Sequence, residues 1–88
     1  MNEKQMKFEA IKELSDVITR YQKNVTNIEY VLLKHVKEGW EQEQIVITYK
    51  GGAISVLPAN GNTFSANRRI ISEHLESGYY SEVRNYKE

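Results

Sequence analysis

Between Ile11 and Leu32 the hydrophobic residues recur at alternating spacings of three and four: Ile11, Leu14, Ile18, Tyr21, Val25, Ile28 and Leu32. This is the a/d periodicity of a helical seam. The stretch Asn24-Val25-Thr26-Asn27 predicts a break in it, because Thr26 and Glu29 form a T-x-x-E capping box and Val25 can meet Tyr30 as a hydrophobic staple. Two helices are therefore predicted, over 3–23 and 27–38. The second carries Ile28, Val31, Leu32, His35 and Val36 on its apolar face, widened by Tyr30 and Leu33. Lys34 and Lys37 suit its dipole, and Gly39 stands where a helix closes on glycine.

The period then changes. Residues 44–49 (QIVITY) and 53–57 (AISVL) are rich in β-branched side chains and flank Lys50-Gly51-Gly52, which predicts a hairpin whose turn needs glycine for positive φ. Ile45, Ile47 and Tyr49 share one face, and Ile54 and Val56 line the face that packs with one side of it. Pro58 ends the second strand, since it cannot donate to the ladder. A loop over 58–64 leads to a third helix from Ala66 to Ser77, capped by Ser65, with Ile70, Ile71 and Leu75 inward and Gly78 closing it. The tail alternates Tyr80, Glu82 and Arg84 against Tyr79, Ser81 and Val83, which fits a further strand in 79–86 or a segment lying across the sheet. The predicted class is α+β, in the order α-α-β-β-α, with a C-terminal strand as one of the two readings of the tail, a small antiparallel sheet covered by helices.

Length and charge narrow the function classes. A chain of 88 residues is expected to be a single domain, 1–88, with a small core and marginal stability. It has no cysteine, so no disulfide or thiolate-metal site supports it, and oligomerisation is the remaining common support. Its 12 basic and 12 acidic side chains cancel, and cancel again on either side of Gln42. Bulk charge therefore argues against nucleic acid as a partner, and any anion site must be local. The N-terminal MNEKQMKFEAIKEL mixes acids with lysines and lacks an unbroken apolar run, so neither a signal peptide nor a membrane span is expected, and the cytoplasm is the expected compartment.

Candidate chemistry is sparse. In NGNTFSANRR, residues 60–69, the helix start at Ser65 would expose amides to a phosphate or carboxylate, with Thr63, Asn67, Arg68 and Arg69 around it. The alternative is an ordinary capped loop with the arginines paired to acids such as Glu73. Trp40, Tyr49, Phe64, Tyr79 and Tyr80 are candidate interface residues, because aromatics beside arginine stack bases or anchor partners. Phe8, Val17 and Leu33 lie off the strict seam, which points to a homo-oligomer formed through the helical layer.

No catalytic motif is present: His35 and His74 show no H-E-x-x-H pattern, and no G-x-S-x-G or phosphate-loop signature occurs. His35 reads as a core-edge residue and His74 as a solvated one. No enzyme, cofactor or metal is expected. The pattern favours a small non-enzymatic binding or regulatory protein of inhibitor or adaptor type, of the kind phages and mobile elements carry, acting as a homo-oligomer on a protein partner. The alternative is a binder of an anionic small molecule, a nucleotide, phosphate-bearing metabolite or short nucleic acid, held before the third helix.

Overall fold

Asn2 opens the first helix, its Oδ1 accepting the Gln5 amide at 2.8 Å, and Glu3 in the first turn complements the dipole. The computed structural model describes residues 2–77, so the tail at 79–86, read as a strand or a segment across the sheet, and the closing Gly78 lie outside it. Helix α1 (Glu3–Tyr21) buries Lys7, Ile11 and Ser15, one stripe at four-residue spacing, flanked by Leu14 and Ile18. It ends two residues earlier than expected, with Gln22 already extended and its amide donating to the Ile18 carbonyl at 2.7 Å.

The predicted second helix is a strand. Residues Val25–Lys34 form β1, which pairs antiparallel with β2 (Glu41–Tyr49), and β2 pairs with β3 (Ile54–Pro58). The order along the chain is α1-β1-β2-β3-α2, with α2 at Phe64–Ser77: two helices and a three-stranded antiparallel sheet, a mixed α+β arrangement. The capping-box reading fails because Thr26 sits at a bulge, where its hydroxyl donates to the Thr48 carbonyl at 3.1 Å, and because Glu29 pairs across the ladder with Val46. Gly39 closes the β1–β2 turn at φ 75° instead of a helix. As strand residues, Ile28, Tyr30 and Leu32 alternate onto one face.

The hairpin of β2 and β3 forms where the sequence places it. Gly51 and Gly52 take φ of 99° and 94°, a region only glycine enters readily, and the Tyr49 amide closes the turn on the Ala53 carbonyl at 2.8 Å. Pro58 is the last residue of β3, opposite Gln44.

The two sheet faces differ in kind. Ile28, Tyr30, Ile45, Ile47 and Tyr49 turn toward the helices and form the core with Ile11, Val25 and Ile71. Asn27, Glu29, Val31, Leu33, Gln42, Gln44, Val46, Thr48, Ile54 and Val56 share the other face, which no described helix covers. Among the described residues, the expected covering helices thus lie on one face of the sheet. The register Ile47↔Ser55 and Val46↔Val56 puts Ile54 and Val56 on that open side, away from Ile45 and Ile47. On the β1 edge, buried Ser15 of α1 accepts the Ile28 amide at 2.9 Å, so the helix satisfies a backbone donor there.

Candidate functional site at the α1 start and hairpin tip

Strand parity carries one acid inward with the apolar residues of β2: Glu43, two positions before Ile45, is 6% exposed. Its carboxylate gathers three elements. Oε1 accepts from Lys7 Nζ of α1 at 2.7 Å and from the Tyr30 hydroxyl of β1 at 2.7 Å, and Oε2 accepts the Gly61 amide of the β3–α2 loop at 2.9 Å. Lys4 Nζ stands 3.5 Å from Oε2. The Glu43 backbone holds the same loop, its amide donating to Asn60 Oδ1 and its carbonyl accepting from Ala59. Burial pushes the Glu43 carboxyl up, but the hydrogen bonds from Lys7, Tyr30 and Gly61 outweigh burial and hold it down at about 2. Burial, then the hydrogen bond to Glu43, drives the Tyr30 phenol well above its ordinary range. A buried carboxylate saturated in this way is a structural hub that fixes where α1 starts and where the loop turns.

Around that hub, exposed apolar side chains stand among charged ones. Met6, Phe8 and Phe64 are exposed, Phe8 resting edge-on against the Tyr30 ring with centroids 4.8 Å apart. A cleft of about 660 Å³ runs between the start of α1 and the β1–β2 hairpin, past Lys4, Phe8, Leu32, Lys34 and Glu41. On the other side of the helix, Met6, Ala10, Thr63 and Phe64 line a second cleft of about 480 Å³.

The hairpin tip, residues 35–40, is held by its own bonds. His35 exchanges backbone bonds with Trp40 and Gly39 at 2.9 and 2.7 Å, and its Nδ1 accepts the Glu38 amide at 3.1 Å. The Trp40 indole stacks on the His35 ring, centroids 5.0 Å apart, and its Nε1–H donates to Glu38 Oε2 at 3.0 Å. His35 is therefore a turn-shaping residue and not part of a helical core edge. The tip presents Val36 at 95% exposure and Trp40 at 44%.

The residues singled out around α2 fall in different places. Thr63, not Ser65, caps the helix: its Oγ1 accepts the Ala66 amide at 3.2 Å, while Ser65 lies exposed in the first turn. Asn67 is fully buried; its Oδ1 accepts from Asn62 Nδ2 at 3.1 Å, and its own Nδ2 has no partner. Arg68 and Arg69 point outward, Arg69 standing 3.9 Å from Glu73 with both side chains mostly in water. Helical rotation thus separates the buried amide of Asn67 from the two guanidinium groups.

Among the interface candidates, Trp40 and Phe64 are exposed, Tyr49 is core at 1% exposure, and Tyr79 and Tyr80 lie outside the described residues. His74, expected in solvent, is half-buried and meets Ser55 Oγ at 2.8 Å; that hydroxyl also meets the Tyr49 hydroxyl at 2.8 Å. Burial pushes the His74 imidazole below its ordinary value. The chain Tyr49–Ser55–His74 ties α2 to β2 and β3.

Sequence reasoning passed over Glu43, Lys7 and Ser55, and read Tyr30 only as part of a helix's apolar face. The signal for Glu43 was available, since an acid on the parity of Ile45, Ile47 and Tyr49 must find partners once that face is buried. Among the described residues no helix is long and apolar enough to cross a membrane, and no group of three or more acids and histidines could hold a metal ion. No family model, curated protein or solved structure matches the chain.

Proposed function

We propose that the protein is a small non-enzymatic binding or regulatory protein of inhibitor or adaptor type, which engages a protein partner with the end of the molecule built around the β1–β2 tip. The observation that carries this reading is the tip itself. Val36 and Trp40 are exposed while His35, Glu38 and Gly39 fix the backbone and the indole. A tryptophan ordered before binding loses little entropy on contact, which is how a few side chains come to dominate an interface. Met6, Phe8 and Phe64 beside the α1 start supply an apolar surround.

The test is capture from cells of the source organism with tagged wild-type protein, Trp40→Ala, Val36→Ser and an Arg68→Ala/Arg69→Ala double variant. Any captured protein is then titrated in purified form. The reading expects Trp40→Ala to weaken that binding by about 30-fold or more, the scale of a truncated hot spot of about 2 kcal/mol, with the arginine variant unchanged. The alternative, an anionic ligand bound near Ser65, Arg68 and Arg69, gains if native mass spectrometry finds a small bound mass that the arginine variant loses and Trp40→Ala keeps.

A further inference from the structure

We propose that the open face of the sheet is a two-fold, face-to-face contact between two copies of this chain. This names how the homo-oligomer expected from the sequence is built, and it uses a surface separate from the hairpin tip. The helical layer expected to form the oligomer is absent, because half of its seam lies in β1. The sheet offers a different self-complementary surface.

Three rows cross it: Asn27, Thr48 and Ile54; Glu29, Val46 and Val56; Val31, Gln44 and Pro58. Leu33 and Gln42 follow at one end. Of the 20 charged Lys, Arg, Asp and Glu side chains among the described residues, this face carries one, Glu29. A charged partner would find only Glu29 here to pair with, whereas a second copy needs only groups that match themselves. Aliphatic side chains do, and so do the amides of Gln42 and Gln44, each holding both donors and an acceptor.

A two-fold axis running along β2 lays that strand over its own copy, bringing Val46 against Val46 and Gln44 against Gln44. The sheets then stack about 10 Å apart with helices on the outside of both. Each Glu29, on the outer strand β1, falls over the β3 side of the other copy. The two strand positions that carry them are about 14 Å apart, and about 10 Å apart measured across the face alone, beyond the roughly 8 Å screening length of physiological salt. Edge pairing is a poorer route, since α1 satisfies a donor on the β1 edge and β3 is short and ends on Pro58.

Area sets the strength. Seven residues of β1 span about 20 Å and three strands about 15 Å, a footprint of about 300 Å² against the roughly 800 Å² per partner of a standard stable interface. A contact this small belongs with weak, transient interfaces, so the dimer is expected to be reversible and to dissociate on dilution.

Sedimentation velocity of the full chain from about 5 to 500 µM should show a monomer–dimer equilibrium with a midpoint in the tens of micromolar. Val46→Lys should weaken it at least about 10-fold by placing two cations on the axis, while Trp40→Ala leaves it unchanged. Since the chain has no cysteine, Val46→Cys provides a second readout that asks less of folding: a short bismaleimide should join two copies, and should not do so for Val36→Cys at the tip. A chain monomeric across the whole range, a dimer that Val46→Lys leaves intact, or cross-linking at residue 36 and not at 46 each overturns the proposal. None of these results touches the tip reading, which rests on the effect of Trp40→Ala on a heterologous partner.

Discussion

Replacing Glu43 with Gln keeps the size of the side chain and removes its charge from a site where Lys7, Tyr30 and Gly61 all donate to it. The carboxyl sits at about 2 in the folded chain against an ordinary 4.5, a difference that contributes about 3 kcal/mol of stability at neutral pH. Because the folded value is the depressed one, this contribution is complete above about pH 4.5 and fades as the pH falls toward 2; about 2 kcal/mol of it is gone by pH 3. Glu43→Gln cannot titrate and leaves Lys7 buried, with Glu3 at 3.7 Å as its remaining near acid. The variant should therefore be less stable than wild type by about 3 kcal/mol at pH 7 and by only about 1 kcal/mol at pH 3.

Urea unfolding followed by far-UV circular dichroism, run on both chains at both pH values, measures that double difference. The other carboxylates titrate in both chains and cancel. A gap between the two proteins that is the same at pH 3 as at pH 7, to within about 0.5 kcal/mol, would refute the assignment of Glu43 as an ionised hub.

Two further outcomes test the fold. Thr63→Ala should lower stability by about 1 kcal/mol in thermal unfolding while Ser65→Ala stays within about 0.5 kcal/mol, and the reverse ranking would restore Ser65 as the cap. Ile47→Ala, at the centre of the sheet's buried face, should cost about 2–5 kcal/mol of unfolding free energy in urea, and a loss under 1 kcal/mol would mean that face is not the core.

The β2–β3 hairpin was legible because three local signals agree there: alternating β-branched residues, a Gly-Gly turn and a terminal Pro58. Both helices were legible from their apolar stripes, each with one boundary off by two residues. β1 was not, because residues 25–36 satisfy two periods at once. Ile28, Val31, Leu32 and His35 fit a helix, while Ile28, Tyr30 and Leu32 fit a strand, and Thr26 with Glu29 imitates a capping box. A non-local demand decides between them. The β2–β3 pair alone would be a two-stranded hairpin, too small to stand by itself, and β1 supplies the third strand and a second set of backbone partners for β2. The Glu43 hub was hidden for the same reason, since its partners come from positions 7, 30 and 61 and only the tertiary fold brings them together.

The hub and the tip divide the work of the same end of the molecule. Glu43 orients the α1 start and the Gly61 loop through bonds that reach across the chain, whereas the bonds identified at the tip run among residues 35–40. Weakening the hub should thus disturb stability and the apolar surround together, while truncating Trp40 should alter surface chemistry and leave the hub's bonds in place. Turn geometry needs Gly39 for its positive φ and the His35 ring for its acceptor, but it draws almost nothing from Val36, which lies nearly wholly in water. An aliphatic side chain at that position gains no burial from folding, so any burial it obtains must come from another molecule. Val36→Ser is consequently the cleanest separation of the two roles: folding free energy should stay within about 0.5 kcal/mol of wild type while partner affinity falls, and a variant that loses stability without losing affinity would place Val36 in the fold and not in the interface.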